Sequence, residues 1–132
     1  MMLQITPQHR LLLCVPSIDF RKGIDSLVAT CQQHLGSDPF SGAFFVFTNT
    51  RKTSVKLLVY DGNGFWLSQK RFSSGKLPWW PKTTEEAYSI RSVDLLIMLQ
   101  QGDPKVAHVP DDWRRLPWQA PPDNSMATNA QD

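Results

Sequence analysis

A chain of 132 residues with 41% apolar side chains is long enough for one globular core and too short for several domains. The net charge of +2 hides an asymmetry: residues 1–82 hold ten Lys/Arg against four Asp/Glu, and residues 83–132 hold four against eight. The first ten residues lack the apolar stretch of a secretory leader, and no run is long enough to span a bilayer, so a cytoplasmic protein with a polyanionic partner for its basic part is expected.

The run Arg10 to Val15 (RLLLCV), ended by Pro16, reads as a buried strand. Ile24, Leu27, Val28, Cys31 and Leu35 then recur at helical spacing, with Asp25, Ser26, Gln32 and Gln33 opposite and Gly36 as the stop. Ser37 to Gly42 is turn chemistry. Three strand-like runs follow, Ala43–Thr48, Ser54–Tyr60 and Phe65–Phe72, joined by the polar turns 49–53 and 61–64. Short turns between such runs imply an antiparallel meander. Leu77-Pro78-Trp79-Trp80-Pro81 is a proline-braced aromatic segment, residues 86–90 form a further short strand, and Ser92 caps a second short helix ending at Gly102.

These elements predict an α+β domain over residues 8–102: an antiparallel β-meander sheet with one amphipathic helix packed on one face and a second short C-terminal helix. The other face must meet that second helix, the Trp79-Trp80 segment or a partner. Residues 103–132, rich in proline and polar at the end, are expected to be a largely extended or disordered tail in which Trp113, Leu116 and Trp118 could dock.

Two groups of cations stand out. Arg21-Lys22-Gly23 lies where a strand turns into a helix, a place where main-chain N–H groups and side-chain charge can meet a phosphate; the alternative is an Asp19 helix cap beside solvated cations. Arg51, Lys52, Lys56, Lys70, Arg71 and Lys76 form a second group, interleaved with Tyr60, Trp66 and Phe72. Basic hairpin tips also serve solubility and edge protection. Trp66, Trp79 and Trp80 are candidate anchors for a protein partner.

Catalytic signals are weak. His9, His34 and His108 are isolated, and no nucleophile elbow, phosphate loop or zinc-helix motif is present. Asp19, Asp25 and Asp61 could be metal ligands, but a cap and a turn explain Asp19 and Asp61 better. Cys14 and Cys31 fit buried thiols rather than a zinc or redox pair. No catalytic residue, metal or cofactor is expected.

The order of motifs resembles a known family. Asp19-Phe20-Arg21-Lys22-Gly23, Asp38-Pro39 with Ser41-Gly42, Val46-Phe47 with Asn49, Lys56 through Tyr60-Asp61, Gly64-Phe65, Lys70-Arg71-Phe72 and Gly75-Lys76 are similar to the Orf2-like TnpB accessory proteins of the insertion sequence sixty-six family. The resemblance runs from about Arg10 to Gly102. It implies a non-enzymatic accessory role in transposition, in a complex with DNA and the element's transposase. The RNA-guided nucleases that share the TnpB name are much longer, and their activity does not carry over. The hairpin tip of this chain, Asn49 to Thr53, is less arginine-rich than the family pattern, and Leu67-Ser68-Gln69 stands in place of an aromatic-Tyr pair.

Overall fold

In a computed structural model the chain is described at Ile5 and over residues 8–106. Seven elements follow one another: β1 (Leu11–Cys14), α1 (Ile24–Gln33), β2 (Phe44–Thr48), β3 (Ser54–Tyr60), β4 (Phe65–Arg71), β5 (Ala87–Ile90) and α2 (Ser92–Leu99). The strands form one sheet in the order β4-β3-β2-β1-β5. The expected tail, with Trp113, Leu116 and Trp118, lies outside the described residues apart from Asp103–Val106.

The sheet is mixed, which corrects the expectation of a purely antiparallel one. The meander β2-β3-β4 is antiparallel as the short turns require, but β1 pairs with β2 in parallel, Leu11 opposite Phe44 and Leu13 opposite Val46. The reason lies in α1. A helix between two neighbouring strands carries the chain back along the sheet, so both strands set out from the same end. β5 then closes the far side of β1 antiparallel, with Leu11 opposite Ile90 and Cys14 opposite Ala87.

α1 covers one face. Its Leu27 and Cys31, with Leu35 beyond it, pack on Leu12, Cys14, Phe45, Phe47 and Leu58. The helix stops at Gln33, two residues short of the expected Leu35, and Gly36 turns the chain beyond it with φ at +58°, a backbone conformation in which a Cβ would be strained. The opposite face is covered by α2 and the aromatic segment together: Leu95, Met98, Leu77 and Trp80 pack on Leu11, Leu13, Phe44, Val46, Val55 and Val59. α2 starts one residue away from expectation, since Ser92 is helical and the Arg91 N–H donates to Asp94 Oδ2 at 3.0 Å. The chain therefore fills both faces of its own sheet.

Candidate nucleic-acid interface

The register decides where the cations go. β1 and β2 run toward one end of the sheet, β3 starts there, and Ser54 lies opposite Arg71 at the close of β4. Three loops meet at that end. The β1–α1 loop rests on the β2–β3 turn through Ile18 N–H to Thr48 O (3.0 Å) and a Ser17–Thr50 hydroxyl pair (3.3 Å). The chain after β4 rests on the other side of the same turn, through Phe72 N–H to Thr53 O (3.0 Å) and Leu77 N–H to Lys52 O (2.9 Å). Arg21 and Lys22, Arg51 and Lys52, and Lys70, Arg71 and Lys76 thus share one end of the molecule.

Asn49 builds the central turn. Its Oδ1 accepts from the N–H groups of Thr53 (2.9 Å) and Ser54 (3.2 Å), and its Nδ2 donates to Thr53 Oγ1 (2.9 Å). Lys52 sits at φ +59°, where an L-residue pays about 1 kcal/mol that glycine does not. The tip retains a cation at a conformational cost.

The eight cations differ in what they touch. Arg21 is exposed and held by Asp19, whose Oδ2 accepts from Nη2 at 2.6 Å. That guanidinium, with the Arg21 N–H donating to Oδ1 at 2.9 Å, lowers the Asp19 pKa from 3.8 to about 2. Asp19 therefore braces Arg21 instead of capping α1, whose N-cap is Gly23 with no side-chain cap bond. Lys70 donates to Leu99 O at 2.6 Å, at the carbonyl end of α2. Lys22, Arg51, Lys52, Arg71 and Lys76 have no carboxylate at ion-pair distance among the described residues. Lys56 departs from the pattern: it is 5% exposed, and its ammonium donates to Phe20 O and Lys22 O, both at 2.8 Å, with the Phe20 ring 4.8 Å away. Burial pushes its pKa below the ordinary lysine value, with Asp19 opposing. It faces α1 beside Phe47, away from any external phosphate.

On its β5 side the cationic end is bordered by Glu86. Val15 N–H donates to Glu86 O (2.9 Å), and Glu86 lies 3.5 Å from His34. Beneath the loop a cleft of about 360 Å³ is lined by residues that include Cys14, Ser17, Lys22, Thr30, His34 and Glu86.

Each of the three candidate tryptophans has a partner within the chain, but only Trp80 is buried. Trp80 is 7% exposed and its indole N–H donates to Val15 O at 2.9 Å, so it is a core residue rather than a surface anchor. Trp79 stacks edge-on against Tyr88 beneath the Lys105 ammonium. Trp66 is half-buried and donates to Asp61 Oδ2 at 2.6 Å. Asp61 also accepts from the N–H groups of Asn63 and Gly64, which together with Trp66 lower its pKa, so it is a turn residue. Among the described residues no group of three or more His, Cys, Asp or Glu could hold a metal ion, and no helix is long and apolar enough to cross a membrane. Burial drives the thiol pKa values up, to about 11 at Cys14 and about 12 at Cys31.

Comparison with known proteins supplies a context for this geometry. The profile of a family described as IS66 Orf2 like protein matches residues 9–108. Two proteins of Sinorhizobium fredii (strain NBRC 101917 / NGR234) are similar. The protein y4hO is 31% identical over 96 residues, covering 73% of this chain and 81% of that one. The protein y4jC is 37% identical over 67 residues, 51% of this chain and 57% of its own length. Both are described as uncharacterized proteins. No solved structure matches significantly.

Proposed function

Because the chain belongs to the family of IS66 Orf2-like proteins, we propose that it is a non-catalytic accessory protein of insertion-sequence transposition that holds DNA by its phosphate backbone, in the cytoplasm and in company with the element's transposase. The observation that carries the DNA part is the meeting of three loops at one end of the sheet, bringing seven cations together: Arg21, Lys22, Arg51, Lys52, Lys70, Arg71 and Lys76. They come from segments far apart in sequence. Five of them have no ion-pair partner among the described residues, so their charge is available to an external anion.

Backbone contact is the mode that fits. Arginine and lysine on exposed loops neutralise phosphates and release counterions, which gives affinity without sequence readout. The cations sit on loops and at a strand end rather than along a helix face, so the reading is backbone binding. Four such contacts would give a slope of about −3.6 in log affinity against log salt for duplex DNA. Fluorescence anisotropy of a labelled duplex, titrated with the protein between 0.05 and 0.3 M salt, measures it. Absent binding, or affinity indifferent to salt, defeats the proposal.

The transposase is the proposed protein partner. With Trp80 inside the core, the half-buried Trp66 and Trp79 are what remain of the aromatic anchors, and the Phe40 ring, 50% exposed against Tyr60 and Phe65, adds an aromatic surface at the opposite end of the sheet. Co-purification of the two proteins tests this; if Trp66→Ala, Trp79→Ala and Phe40→Ala all leave the complex intact, these anchors are wrong.

A further inference from the structure

Lys56 is the cation that sequence logic groups with the phosphate contacts and that the fold turns inward. Its neighbours are specific. Phe20 O and Lys22 O both accept from its ammonium at 2.8 Å, and these carbonyls flank Arg21 in the β1–α1 loop. With no cis peptide in the described chain, each carbonyl points opposite to the N–H of the next residue. Two carbonyls aimed at Lys56 therefore turn the N–H groups of Arg21 and Gly23 away from it, and the Arg21 N–H meets Asp19 Oδ1 on that side. The loop's other hydrogen bonds to the rest of the fold lie near its start, at Val15, Ser17 and Ile18, while the Ile18 and Phe20 side chains pack on the core beneath α1. At the stretch that carries Arg21 and Lys22, Lys56 is the hydrogen-bonding tie to the sheet, beside the apolar packing of Phe20.

We propose that Lys56 is a positioning residue: a buried strut on β3 that fixes the Arg21-Lys22 corner relative to the Arg51-Lys52 turn, so that the two loops present their charges to a DNA backbone at one set spacing. The inference rests on the DNA reading for its purpose and on the two carbonyl bonds for its geometry. β3 is the right place for such a strut, since the strand emerges directly from the Asn49–Thr53 turn and Lys56 lies two residues inside it. An ordered loop loses less conformational freedom when a rigid polyanion docks on it than a floppy one does. A buried ammonium satisfied by carbonyls orders a loop without spending any of that loop's own cations.

The test uses the full chain and a labelled duplex, with Lys56→Met as the main variant, since methionine keeps much of the apolar stem and removes the ammonium. Amide hydrogen exchange is measured first, without DNA. The expected result is faster exchange confined to residues 17–25, with protection retained across β2, β3 and β4. Binding is then measured for Lys56→Met, for Arg21→Ala/Lys22→Ala, for Lys76→Ala and for the combinations. Positioning predicts a salt slope lowered by up to about two in Lys56→Met. It also predicts no further loss when Lys56→Met is added to Arg21→Ala/Lys22→Ala, but an independent, multiplicative loss with Lys76→Ala. Lys56→Gln, which keeps amide donors, serves if Lys56→Met does not fold; loss of the whole fold in both overturns the proposal, because Lys56 is then a general core group. Wild-type protein that binds no duplex refutes the DNA reading, and the exchange pattern still decides whether Lys56 holds the loop. Wild-type binding with an unchanged slope in Lys56→Met refutes the strut and leaves the DNA reading standing.

Discussion

Replacing Lys22 by alanine separates a charge that is available from one that is already spent. Lys22 is exposed with no ion-pair partner among the described residues, whereas its neighbour Arg21 is held by Asp19 at 2.6 Å. A cation that neutralises one phosphate contributes about 0.9 to the logarithmic salt slope. At 0.1 M salt, that slope amounts to roughly an eightfold gain in affinity, and at 0.2 M to roughly fourfold. Lys22→Ala should therefore weaken duplex binding about eightfold at 0.1 M and lower the slope by about 0.9. Arg21→Ala should do less, because Asp19 already offsets much of its charge. Asp19→Asn should strengthen binding by freeing the guanidinium. Arg10, which precedes β1 at the opposite end of the sheet, is the control, and Arg10→Ala should leave the slope unchanged. Anisotropy titrations across four salt concentrations give all four values. If Arg10→Ala weakens binding as much as Lys22→Ala, the end-specific arrangement is refuted.

Other outcomes follow from single sites. Lys52→Gly should leave the fold equally or more stable, since φ +59° suits glycine, while duplex affinity falls; a melting temperature that drops by several degrees would contradict it. The Asp19 carboxyl, lowered from 3.8 to about 2 by Arg21, should titrate near pH 2 in a carbon-13 NMR series. Because its folded pKa is depressed, its stabilising contribution is present above pH 3.8 and lost as pH falls through 2. A midpoint near 3.8 would show that the Arg21 contact does not persist. Cys14 and Cys31, with pKa values near 11 and 12, hold about a thousandth or less of their thiol as thiolate at pH 8, so a disulfide reagent should label neither until the protein unfolds. In Gly102→Ala a new Cβ would stand 2.7 Å from Ile97 Cγ2 and 3.1 Å from Ile97 O. A cost of about 1 kcal/mol and a melting temperature lower by roughly 4–8 °C are expected; an unchanged melt would mean that the end of α2 yields freely.

Local chemistry made much of this fold legible, and non-local pairing hid the rest. The α1 stripe Leu27-Cys31 and the turns 49–53 and 61–64 depend on residues near one another, and the structure has them in place; the helix stops earlier than its spacing predicts, at Gln33, with Leu35 packing just beyond it before Gly36 turns the chain. Strand direction across a helix is different, because β1 meets β2 only after 29 intervening residues fold. One clue was present: Leu11 to Cys14 is apolar at every position, as suits a strand covered on both faces. The same geometry explains the fate of Lys56. Its side of β3 carries Leu58, and on β2 the facing positions are Phe45 and Phe47. A helix laid on that face leaves such a lysine nowhere to go but inward, toward a carbonyl. In the sequence the tryptophans look like anchors because their internal partners, Val15 O, Tyr88 and Asp61, come from other strands and turns. The cations of the β2–β3 turn and of the end of β4 belong to a hairpin that forms locally; their union with Arg21 and Lys22 depends on the parallel β1–β2 pair, which brings that loop to the same end.

The most direct measurement is a map of backbone amide shifts as a short duplex is titrated into labelled protein. The arrangement predicts perturbations concentrated in residues 17–23, 49–53 and 70–77, with little change at residues 9–10, 38–42 and 61–64 across the sheet. Perturbations centred on that second set, or none at concentrations where the duplex binds, would contradict a phosphate-holding end built from three converging loops.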